Sequence, residues 1–416
     1  MPEGPAPSAG PPGQPLPHDP FAPARLGPLT LRNRVVKAAT FEGRTPQGLV
    51  SDELVAFHRE MAAGGVALTT VAYCAVAPEG RTERRQIHMR PEALPGLRRL
   101  AAAVHAEGAA VSAQIGHAGP VADARSNRAE AVAASRQRSP LTGLATRAAT
   151  EADLARIVTG HGDAAELAAE AGFDAVELHF GHGYFVSSFL SPRSNRRRDE
   201  WGGCLDNRAR LARLVARTVR ERVGRRIAVT AKLNMEDGVR GGFQVEESLH
   251  VARMLQDDGH LDALELTAGS SLANPMYLFH GDAPVREFAG AFPQPARLGI
   301  RLFGRLFLHT YPYQDCYLLP QARRFRAALD MPLILLGGIT GNATLDRALR
   351  EGFEFAAMGR ALLMEPGLVA RMREAREPSH QAEQTGEEVR SACVHCNKCM
   401  PTIYSRSRCV LVDPIA

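Results

Sequence analysis

The feature that most constrains the fold is an alternation of short apolar or β-branched runs with longer amphipathic stretches, which continues to near the C-terminus. The apolar runs predict strands, and the stretches of helical period predict helices. The alternation comprises eight such pairs. The predicted strands are 34–39, 66–73, 109–115, 175–179, 227–233, 263–267, 333–336 and 355–358. The predicted helices are 52–63, 92–107, 151–171, 205–223, 245–258, 317–329, 342–351 and 360–375.

Eight strand-then-helix units are the number that closes a barrel, so we predict the α/β class and a (β/α)8 TIM barrel. The competing architecture is an open doubly wound sheet, which would carry a glycine-rich turn after its first strand, where this sequence has none. Here Gly337, Gly338 and Gly359 follow the last two strands, where barrels commonly bind phosphate. Glycine lets backbone N–H groups approach a phosphate, and Arg360 would add a charge-assisted clamp. The alternative is that these glycines serve only the turns.

Three segments lie outside the barrel repeat. Residues 1–20 are rich in Pro and Gly and predict a disordered tail, so we assign the barrel domain to 21–377 and a Cys-rich extension to 378–416. Segment 268–316 is too long for a simple connection and predicts a loop excursion over the barrel mouth. Within it, basic and apolar residues alternate over 296–309. This pattern fits either a membrane-surface helix or a lid packed on the barrel rim.

Composition is ordinary for a globular chain with a large core, since 45% of the residues are hydrophobic and 23% are charged. The net charge of +5 is spread over predicted helix surfaces and does not favour nucleic-acid binding. No apolar run approaches the length of about 18 residues that a transmembrane helix needs. Without a secretion signal, we expect a cytoplasmic location.

The chemistry of a (β/α)8 barrel lies at the C-terminal ends of its strands. After the fourth strand, His179, His182 and Tyr184 place two imidazoles and a phenol on one loop. Two neutral imidazoles can donate paired hydrogen bonds to a carbonyl or oxyanion, and a phenol can supply a proton. The same three residues could instead bind a metal or only pack within the loop. A zinc site would need a third ligand, which this loop does not offer.

Two further strand ends carry polar side chains. Gln114, at the end of the third strand, can donate to and accept from the edge of a heterocycle. Lys232, at the end of the fifth, can stabilise negative charge on a bound ring, as at N1 and O2 of a reduced flavin. The alternative for Lys232 is a salt bridge inside the barrel to Glu177 or Glu265.

Four of the seven cysteines crowd into the last 24 residues. An odd total without a secretion signal argues against a disulfide framework. The spacing suits a four-iron four-sulfur cluster or a zinc site, and free thiols remain the third possibility. The candidate metal ligands are Cys393, Cys396, Cys399 and Cys409.

The chain resembles the old yellow enzyme (NADH:flavin oxidoreductase) family, in particular the branch related to 2,4-dienoyl-CoA reductase and trimethylamine dehydrogenase. The resemblance covers about residues 21–375. It is carried by LTLRNRVVKAAT, AQIGHAG, LLGGI, AAMGRALL and, above all, by GFDAVELHFGHGYFVSSFLSPRSNRRRDEWGG with DNRAR after it. The last of these motifs is long and specific, so chance is a poor explanation.

The resemblance implies that flavin mononucleotide (FMN) lies across the barrel mouth and passes hydride from NAD(P)H to a small molecule with an activated C=C bond. His179 and His182 would hold the substrate's electron-withdrawing oxygen, and Tyr184 would protonate the carbon opposite hydride delivery. The implied FMN-binding residues are Thr40, Tyr73, Gln114, Lys232, Gly337, Gly338, Gly359 and Arg360.

Three departures from the family pattern stand out. The usual thiol or hydroxyl near flavin O4 and N5 falls at Thr40 or Phe41. Lys232 stands where many members have Arg, so a compact ammonium replaces a planar guanidinium that could bind through two N–H groups. The chain ends at Ala416, which we expect to leave no room for the additional nucleotide-binding domains of the larger relatives.

Other expectations accompany this assignment. Arg208 should organise its loop by pairing with a carboxylate such as Asp199, and relatives suggest a homo-oligomer. Two other functions stay open. One is an oxidative dehydrogenase or demethylase that passes electrons through the cysteine cluster, and the other is a non-catalytic flavin-binding or membrane-associated sensor that uses segment 294–309.

Overall fold

The computed structural model describes residues 19–138, 143–377 and 388–413. The strands in these ranges are β1 (Ala24–Leu26), β2 (Leu29–Leu31), β3 (Val35–Lys37), β4 (Leu68–Ala75), β5 (Ala110–Gly116), β6 (Val132–Ala133), β7 (Gln137–Arg138), β8 (Ala145–Ala148), β9 (Ala175–Phe180), β10 (Ala228–Asn234), β11 (Ala263–Thr267), β12 (Leu333–Leu336) and β13 (Phe355–Met358). The α-helices are α1 (Asp52–Ala63), α2 (Leu94–Ala106), α3 (Ala124–Asn127), α4 (Glu151–Glu170), α5 (Phe185–Leu190), α6 (Leu205–Val223), α7 (Val245–Asp258), α8 (Val285–Gly290), α9 (Ala296–Phe303), α10 (Leu319–Arg326), α11 (Asn342–Arg350), α12 (Arg360–Met364) and α13 (Leu368–Glu374).

Eight of these strands close into one barrel whose neighbouring strands run parallel. Their order around the barrel is β10, β11, β12, β13, β3, β4, β5 and β9. Parallel neighbours need crossover connections, which the intervening helices supply. Each of the eight predicted strands overlaps one barrel strand, so the predicted (β/α)8 TIM barrel is confirmed.

The barrel interior changes from apolar to polar along the strands. Ala175 of β9 and Ala263 of β11 belong to an apolar cluster at the N-terminal ends of the strands. Because alternate residues of a strand face the same side, Glu177, His179 and Glu265 point inward nearer the C-terminal ends. All three side chains are buried. The polar end of the barrel is therefore the end at which chemistry is expected.

Local signals account for several helix boundaries. The hydroxyl of Ser51 accepts a hydrogen bond from the backbone N–H of Leu54 at the start of α1. Thr150 and Asp153 form a capping box at the start of α4, a device that contributes on the order of 1 kcal/mol. The predicted helix 360–375 is instead two helices, because Pro366 lies in the break between α12 and α13 and cannot donate a helical hydrogen bond.

Some elements were not predicted. A hairpin of β1 and β2 precedes the first barrel strand, and β6, β8 and β7 form a small sheet in the connection between β5 and α4. Helix α5 lies immediately after the loop that follows β9. These strands have two to four residues, which is too short for a hydrophobic period to be visible.

The segment 268–316 leaves the C-terminal end of β11, as the predicted excursion requires, and contains α8 and α9. Its core joins Met276, Phe288 and Leu308 to Met400 of the C-terminal segment. The C-terminal segment also contacts the barrel loops, since the backbone N–H of Ser391 donates to the carbonyl of Thr340 over 2.7 Å.

The predicted domain boundaries remain predictions. The predicted disordered tail, 1–20, lies outside the described residues except for its last two. Within the part of the chain that the structure describes, none of the helices combines the length and the apolar character that crossing a membrane would need.

Candidate active site

The loop after β9 brings the two predicted histidines and the predicted tyrosine together. The ring centroid of His179 lies 5.0 Å from that of His182 and 4.4 Å from that of Tyr184. His182 has a φ of 61°, in the left-handed region. Gly181 is required beside it, because a Cβ there would lie 2.9 Å from the side-chain oxygen of Asn234. This tight turn allows the three side chains to meet at the barrel mouth.

Residues at the ends of β10 and β11 hold His182 in place. Its backbone N–H donates to Asn234 Oδ1 over 3.0 Å, and its Nε2 shares a hydrogen bond of 2.9 Å with Thr267 Oγ1. The amide of Asn234 in turn donates to the carbonyl of Gly269 over 2.7 Å. Sequence reasoning missed Asn234 and Thr267. Each is the last residue of a barrel strand and faces the barrel interior. The same reasoning that identified Lys232 as a candidate could have found them.

Burial determines the protonation of these side chains. Burial, with a smaller repulsion from Lys232, lowers the pKa of His182 to about 3. Burial also holds the pKa of His179 well below its usual value. The pKa of Tyr184 is raised by burial and, to a smaller extent, by nearby Tyr404. At neutral pH both imidazoles are therefore uncharged and the phenol keeps its proton.

One nitrogen in this cluster is available to a bound molecule. His179 Nδ1 is buried and has no hydrogen-bond partner among the described residues. The ring of Tyr73 lies 6.2 Å from that of His179 and 5.4 Å from that of Tyr184, and its hydroxyl donates to the carbonyl of Gly80 over 3.0 Å. A predicted cofactor-binding residue thus borders the predicted catalytic residues.

A buried charge cluster lies below the histidines, toward the N-terminal ends of the strands. Lys232 Nζ lies 3.0 Å from Glu177 Oε1 and 2.9 Å from Glu265 Oε1. Gln114 Nε2 donates to Glu177 Oε1 over 2.6 Å. The structure therefore contains both carboxylate partners that the sequence suggested for Lys232. It also brings Lys232 and Gln114, the two predicted ring-binding residues, to the same carboxylate.

The charges of this cluster are interdependent. Burial raises the pKa of Glu265 to about 8, although the attraction of Lys232 opposes the rise. Burial also acts to lower the pKa of Lys232, but the carboxylates of Glu177 and Glu265 outweigh it and leave that pKa above its ordinary value. The ammonium of Lys232 thus lies between two buried carboxyl groups, of which Glu265 keeps its proton to higher pH than an exposed carboxyl group would.

The first and last barrel strands meet at two predicted cofactor-binding residues. β13 pairs with β3 and closes the barrel. A Cβ at Gly359, directly after β13, would lie 3.7 Å from Thr40 Cγ2. Closure of the barrel is therefore what makes these two distant positions neighbours.

The glycine turn after β12 has a clear packing role. Gly337 and Gly338 have φ values of 98° and 78°, which glycine adopts without a steric penalty. A Cβ at Gly338 would lie 2.6 Å from the backbone nitrogen of Cys316, at the end of the excursion. Arg360 donates a hydrogen bond to the side chain of Asn397 in the C-terminal segment. The phosphate-binding role of these residues stays a prediction.

The four C-terminal cysteines line one cavity together with Arg360. All four are free thiols, and Cys409 Sγ lies 3.2 Å from Met364 Sδ. Across residues 19–138, 143–377 and 388–413, no group of three or more His, Cys, Asp or Glu side chains is placed to hold a metal ion. The shared cavity agrees with the predicted grouping, and the metal itself stays a prediction.

The predicted partner of Arg208 was wrong. Arg208 pairs with Glu247 on α7 and donates to the backbone carbonyl of Leu190. Asp199 pairs instead with Arg197, two residues away. The reason is that Arg208 lies on the buried face of α6, which packs on α7, whereas Asp199 remains in the preceding loop.

The donor set at the mouth fits FMN. Gln114 and Lys232, which both bond to Glu177, are an amide and an ammonium suited to the polar edge of an isoalloxazine ring. His179 Nδ1, which has no partner among the described residues, is free to bind a substrate beside that ring. A closed parallel barrel with these donors, two uncharged imidazoles and a protonated phenol at the C-terminal ends of its strands defines a cofactor-dependent barrel oxidoreductase.

The chain belongs to the NADH:flavin oxidoreductase / NADH oxidase family, whose profile matches residues 19–271. It is an NAD(P)H-dependent flavin oxidoreductase of the old yellow enzyme type. The family resemblance drawn from the sequence motifs is thereby confirmed.

Two curated relatives illustrate the range of the family. The chain is 52% identical over 395 residues to 4,4'-dithiodibutanoate disulfide reductase of Rhodococcus erythropolis, with 95% of each chain covered. It is 28% identical over 380 residues to the multifunctional alkene reductase/demethylase OYE of Caballeronia cordobensis, which covers 90% of this chain and 52% of that relative. The chain thus spans nearly the whole of the first relative and about half of the second.

Solved structures support the fold. An old yellow enzyme homologue from Zymomonas mobilis superposes with a TM-score of 0.69 at 23% identity, over 86% of this chain and 94% of that one. A complex of 2-naphthoyl-CoA reductase gives a TM-score of 0.78 at 24% identity, over 96% of this chain and 57% of that one. At these identities the likeness concerns the fold alone.

Proposed function

We propose that this chain reduces small molecules with an activated C=C bond, of the enone or dienoyl type, using hydride that NAD(P)H supplies through FMN. Membership of the family supports the cofactor and the hydride donor. The alkene reductase among the relatives supports the acceptor. The observation that carries the proposal is the pair of uncharged imidazoles, of buried His179 and half-buried His182, beside the protonated phenol of Tyr184.

Bound FMN would supply the hydride-carrying chemistry that links NAD(P)H to the acceptor. Gln114 and Lys232 would hold the polar edge of its ring, because they are the amide and ammonium donors of the cluster below the two histidines. The glycine turns at Gly338 and Gly359, with Arg360, would hold its phosphate, as the family resemblance implies.

The chain's own side chains polarise and protonate the acceptor. Hydrogen bonds from His179 and His182 to the acceptor's carbonyl oxygen draw electron density from the C=C bond and lower the barrier to hydride attack at its β-carbon. Thr267 holds the ring of His182 by the hydrogen bond described above. Tyr184 gives its proton to the α-carbon, which completes the addition of one hydride and one proton.

The direct test replaces His179 and His182 together by Ala in the FMN-loaded protein. We expect FMN content and reduction of the flavin by NAD(P)H to persist, while reoxidation by 2-cyclohexenone slows by roughly 100-fold or more. Stopped-flow absorbance separates the two half-reactions. Arg225→Ala, at an exposed residue in the turn after α6, is the control. Unchanged reoxidation in the double variant would falsify the assigned roles.

A disulfide is a second acceptor class, and one observation favours it. The relative that is 52% identical over nearly its whole length is named a disulfide reductase. In the overall reaction NAD(P)H supplies a hydride, the S–S bond breaks, one sulfur leaves as a thiol and the other as a thiolate. Tyr184 would protonate that thiolate, so two thiols would form for each NAD(P)H consumed.

One preparation of FMN-loaded enzyme distinguishes the two acceptors. It is assayed with 2-cyclohexenone and with 4,4'-dithiodibutanoate, and kcat/KM is compared while thiols are titrated. A disulfide substrate requires two thiols per NAD(P)H. If neither compound reoxidises the flavin faster than dissolved oxygen does, both acceptor proposals fail.

We also propose that Cys393, Cys396, Cys399 and Cys409 hold a four-iron four-sulfur cluster, which would suit a dehydrogenase or demethylase that passes electrons to an external carrier. Their spacing and their shared cavity support this proposal. Iron and sulfide analysis of anaerobically purified protein is the test, with Cys396→Ser compared with Cys204→Ser, an exposed thiol outside the cavity. Iron far below four atoms per chain overturns the proposal.

Two expectations about the chain's setting are carried as proposals. We propose a cytoplasmic location and a homo-oligomer, which cell fractionation and sedimentation equilibrium would test. The non-catalytic alternative is disfavoured, because the family is one of enzymes.

A further inference from the structure

The excursion over the barrel mouth carries an exposed apolar surface, which we call the leucine face. It consists of Leu298, Leu302 and Phe303 on α9 and Leu306 in the turn that follows. Their exposed fractions are 55%, 66%, 64% and 76%. No residue of α9 is buried. Large apolar side chains this exposed on consecutive turns are unusual on a protein surface and indicate an interaction site.

The leucine face points away from the protein because the opposite side of the same segment packs inward. Ile300 contacts the core of the excursion, Leu308 is buried in it, and Gly304 lies against Val285. These residues recur every fourth position and form the inner stripe. Leu298, Leu302 and Leu306 recur with the same spacing, two positions away, on the outer side. The apolar residues of this segment thus form two separate surfaces. Packing within the excursion buries only the inner stripe.

A stripe of arginines borders the leucine face. Arg297, Arg301 and Arg305 each precede one of the outer leucines. Asp and Glu are absent from the sequence between Glu287 and Asp315. The surface is therefore both apolar and positively charged, the combination typical of helices that lie in the interface of an anionic membrane.

We propose that the leucine face and its arginines dock this enzyme reversibly on an anionic membrane surface. The four apolar side chains enter the boundary between headgroups and acyl chains, and the arginines contact lipid phosphates. Charge favours this occupant over a second copy of the chain, because a symmetric contact across α9 would bring two sets of three arginines together without acidic partners on the segment. Four apolar side chains on one short helix and the turn after it give weak binding that salt reverses.

The test is sedimentation of the FMN-loaded protein with sucrose-filled vesicles of phosphatidylcholine, with and without one quarter phosphatidylglycerol. We expect binding only to the anionic vesicles, and weaker binding at high salt. Arg301→Gln and Arg305→Gln should each lower the partition coefficient by roughly fivefold. The double variant Leu298→Ser/Leu302→Ser should abolish binding. Flavin content and melting temperature, measured on every variant, confirm that it is folded.

Matched controls come from elsewhere on the surface. Val412→Ser removes an exposed apolar side chain and Arg225→Gln removes an exposed arginine, both outside the excursion, and neither should change binding. The proposal is overturned if the wild type does not sediment with anionic vesicles, or if the leucine variant binds them as well as the wild type. It is also overturned if the wild type is a dimer that the leucine variant dissociates, which would assign the face to a second copy.

Discussion

Thr267 Oγ1 lies 2.9 Å from His182 Nε2, which joins the sixth strand of the barrel to the loop after the fourth. The two strands, β11 and β9, are not neighbours, because β10 lies between them. The hydrogen bond thus spans the barrel mouth and fixes the ring of a candidate catalytic residue.

Replacing Thr267 by Val should disorient that imidazole. We expect FMN content to be unchanged and the rate of flavin reoxidation by an enone to fall about tenfold, the effect of one lost hydrogen bond of about 1.4 kcal/mol. Thr267→Ser keeps the hydroxyl and should retain most of the rate. A loss in Thr267→Ser with none in Thr267→Val, measured by stopped flow, would show that the methyl group and not the hydrogen bond matters.

Replacing Tyr184 by Phe should remove the proton donor while leaving the ring packing against His179 intact. We expect the acceptor half-reaction to slow by roughly 10² to 10⁴, with reduction of the flavin by NAD(P)H unaffected. Tyr313→Phe, in the excursion, is the matched control. A normal rate in Tyr184→Phe would assign the proton to solvent.

The acceptor half-reaction should be nearly independent of pH between about 5 and 9. The pKa of His182 is about 3, so its imidazole is uncharged throughout this range. The pKa of Tyr184 is raised by burial above its usual value of about 10, so its proton is retained. Transient rates at each pH are the measurement. A rate that rises as pH increases through 6 to 7 would show that a histidine of ordinary pKa controls the step.

Glu265 should make the flavin-free protein less stable as pH rises. Its folded pKa of about 8 exceeds the ordinary 4.5, so between these values the folded state holds a proton that the unfolded state releases. The linked stability is present below about 4.5 and is lost as pH rises toward 8. The melting temperature should therefore fall less from pH 5 to 8 in Glu265→Gln than in the wild type.

Glu166→Gln is the control for that experiment, because Arg226 lowers the pKa of Glu166 and its titration lies at more acidic pH. The same slope in the wild type and in Glu265→Gln would contradict the raised pKa. If the melting temperature falls less steeply with pH in both variants than in the wild type, a general loss of negative charge is responsible.

The ion pair between Arg208 and Glu247 should contribute to stability and not to catalysis. Because Arg208 is buried and also donates to the carbonyl of Leu190, Arg208→Ala should lower the free energy of unfolding by about 2 to 3 kcal/mol. Exposed Arg210→Ala should change it by about 0.5 kcal/mol or less. Denaturant unfolding measures both. A loss of turnover without a loss of stability in Arg208→Ala would point to a role in the active site.

Much of the fold was predictable from the sequence because its signals are local. An apolar run followed by an amphipathic stretch is visible within some twenty residues, and eight repeats of that unit specify the barrel. The position of Lys232 at the end of such a run was enough to predict that it faces the barrel interior, where the structure pairs it with Glu177 and Glu265. The division of 360–375 at Pro366 and the short strands β6–β8 were missed, because single breaks and elements of two to four residues leave little periodic signal.

The sequence by itself thus determined the barrel, the family and the loop that carries His179, His182 and Tyr184. Only the tertiary structure decided three pairings. Lys232 pairs with both Glu177 and Glu265. Arg208 pairs with Glu247 instead of Asp199, and Thr267 holds His182. Such partners come from different strands or helices, and their distance depends on the register in which those elements pack. That register is settled by the closure of the whole barrel, which no local pattern of residues encodes.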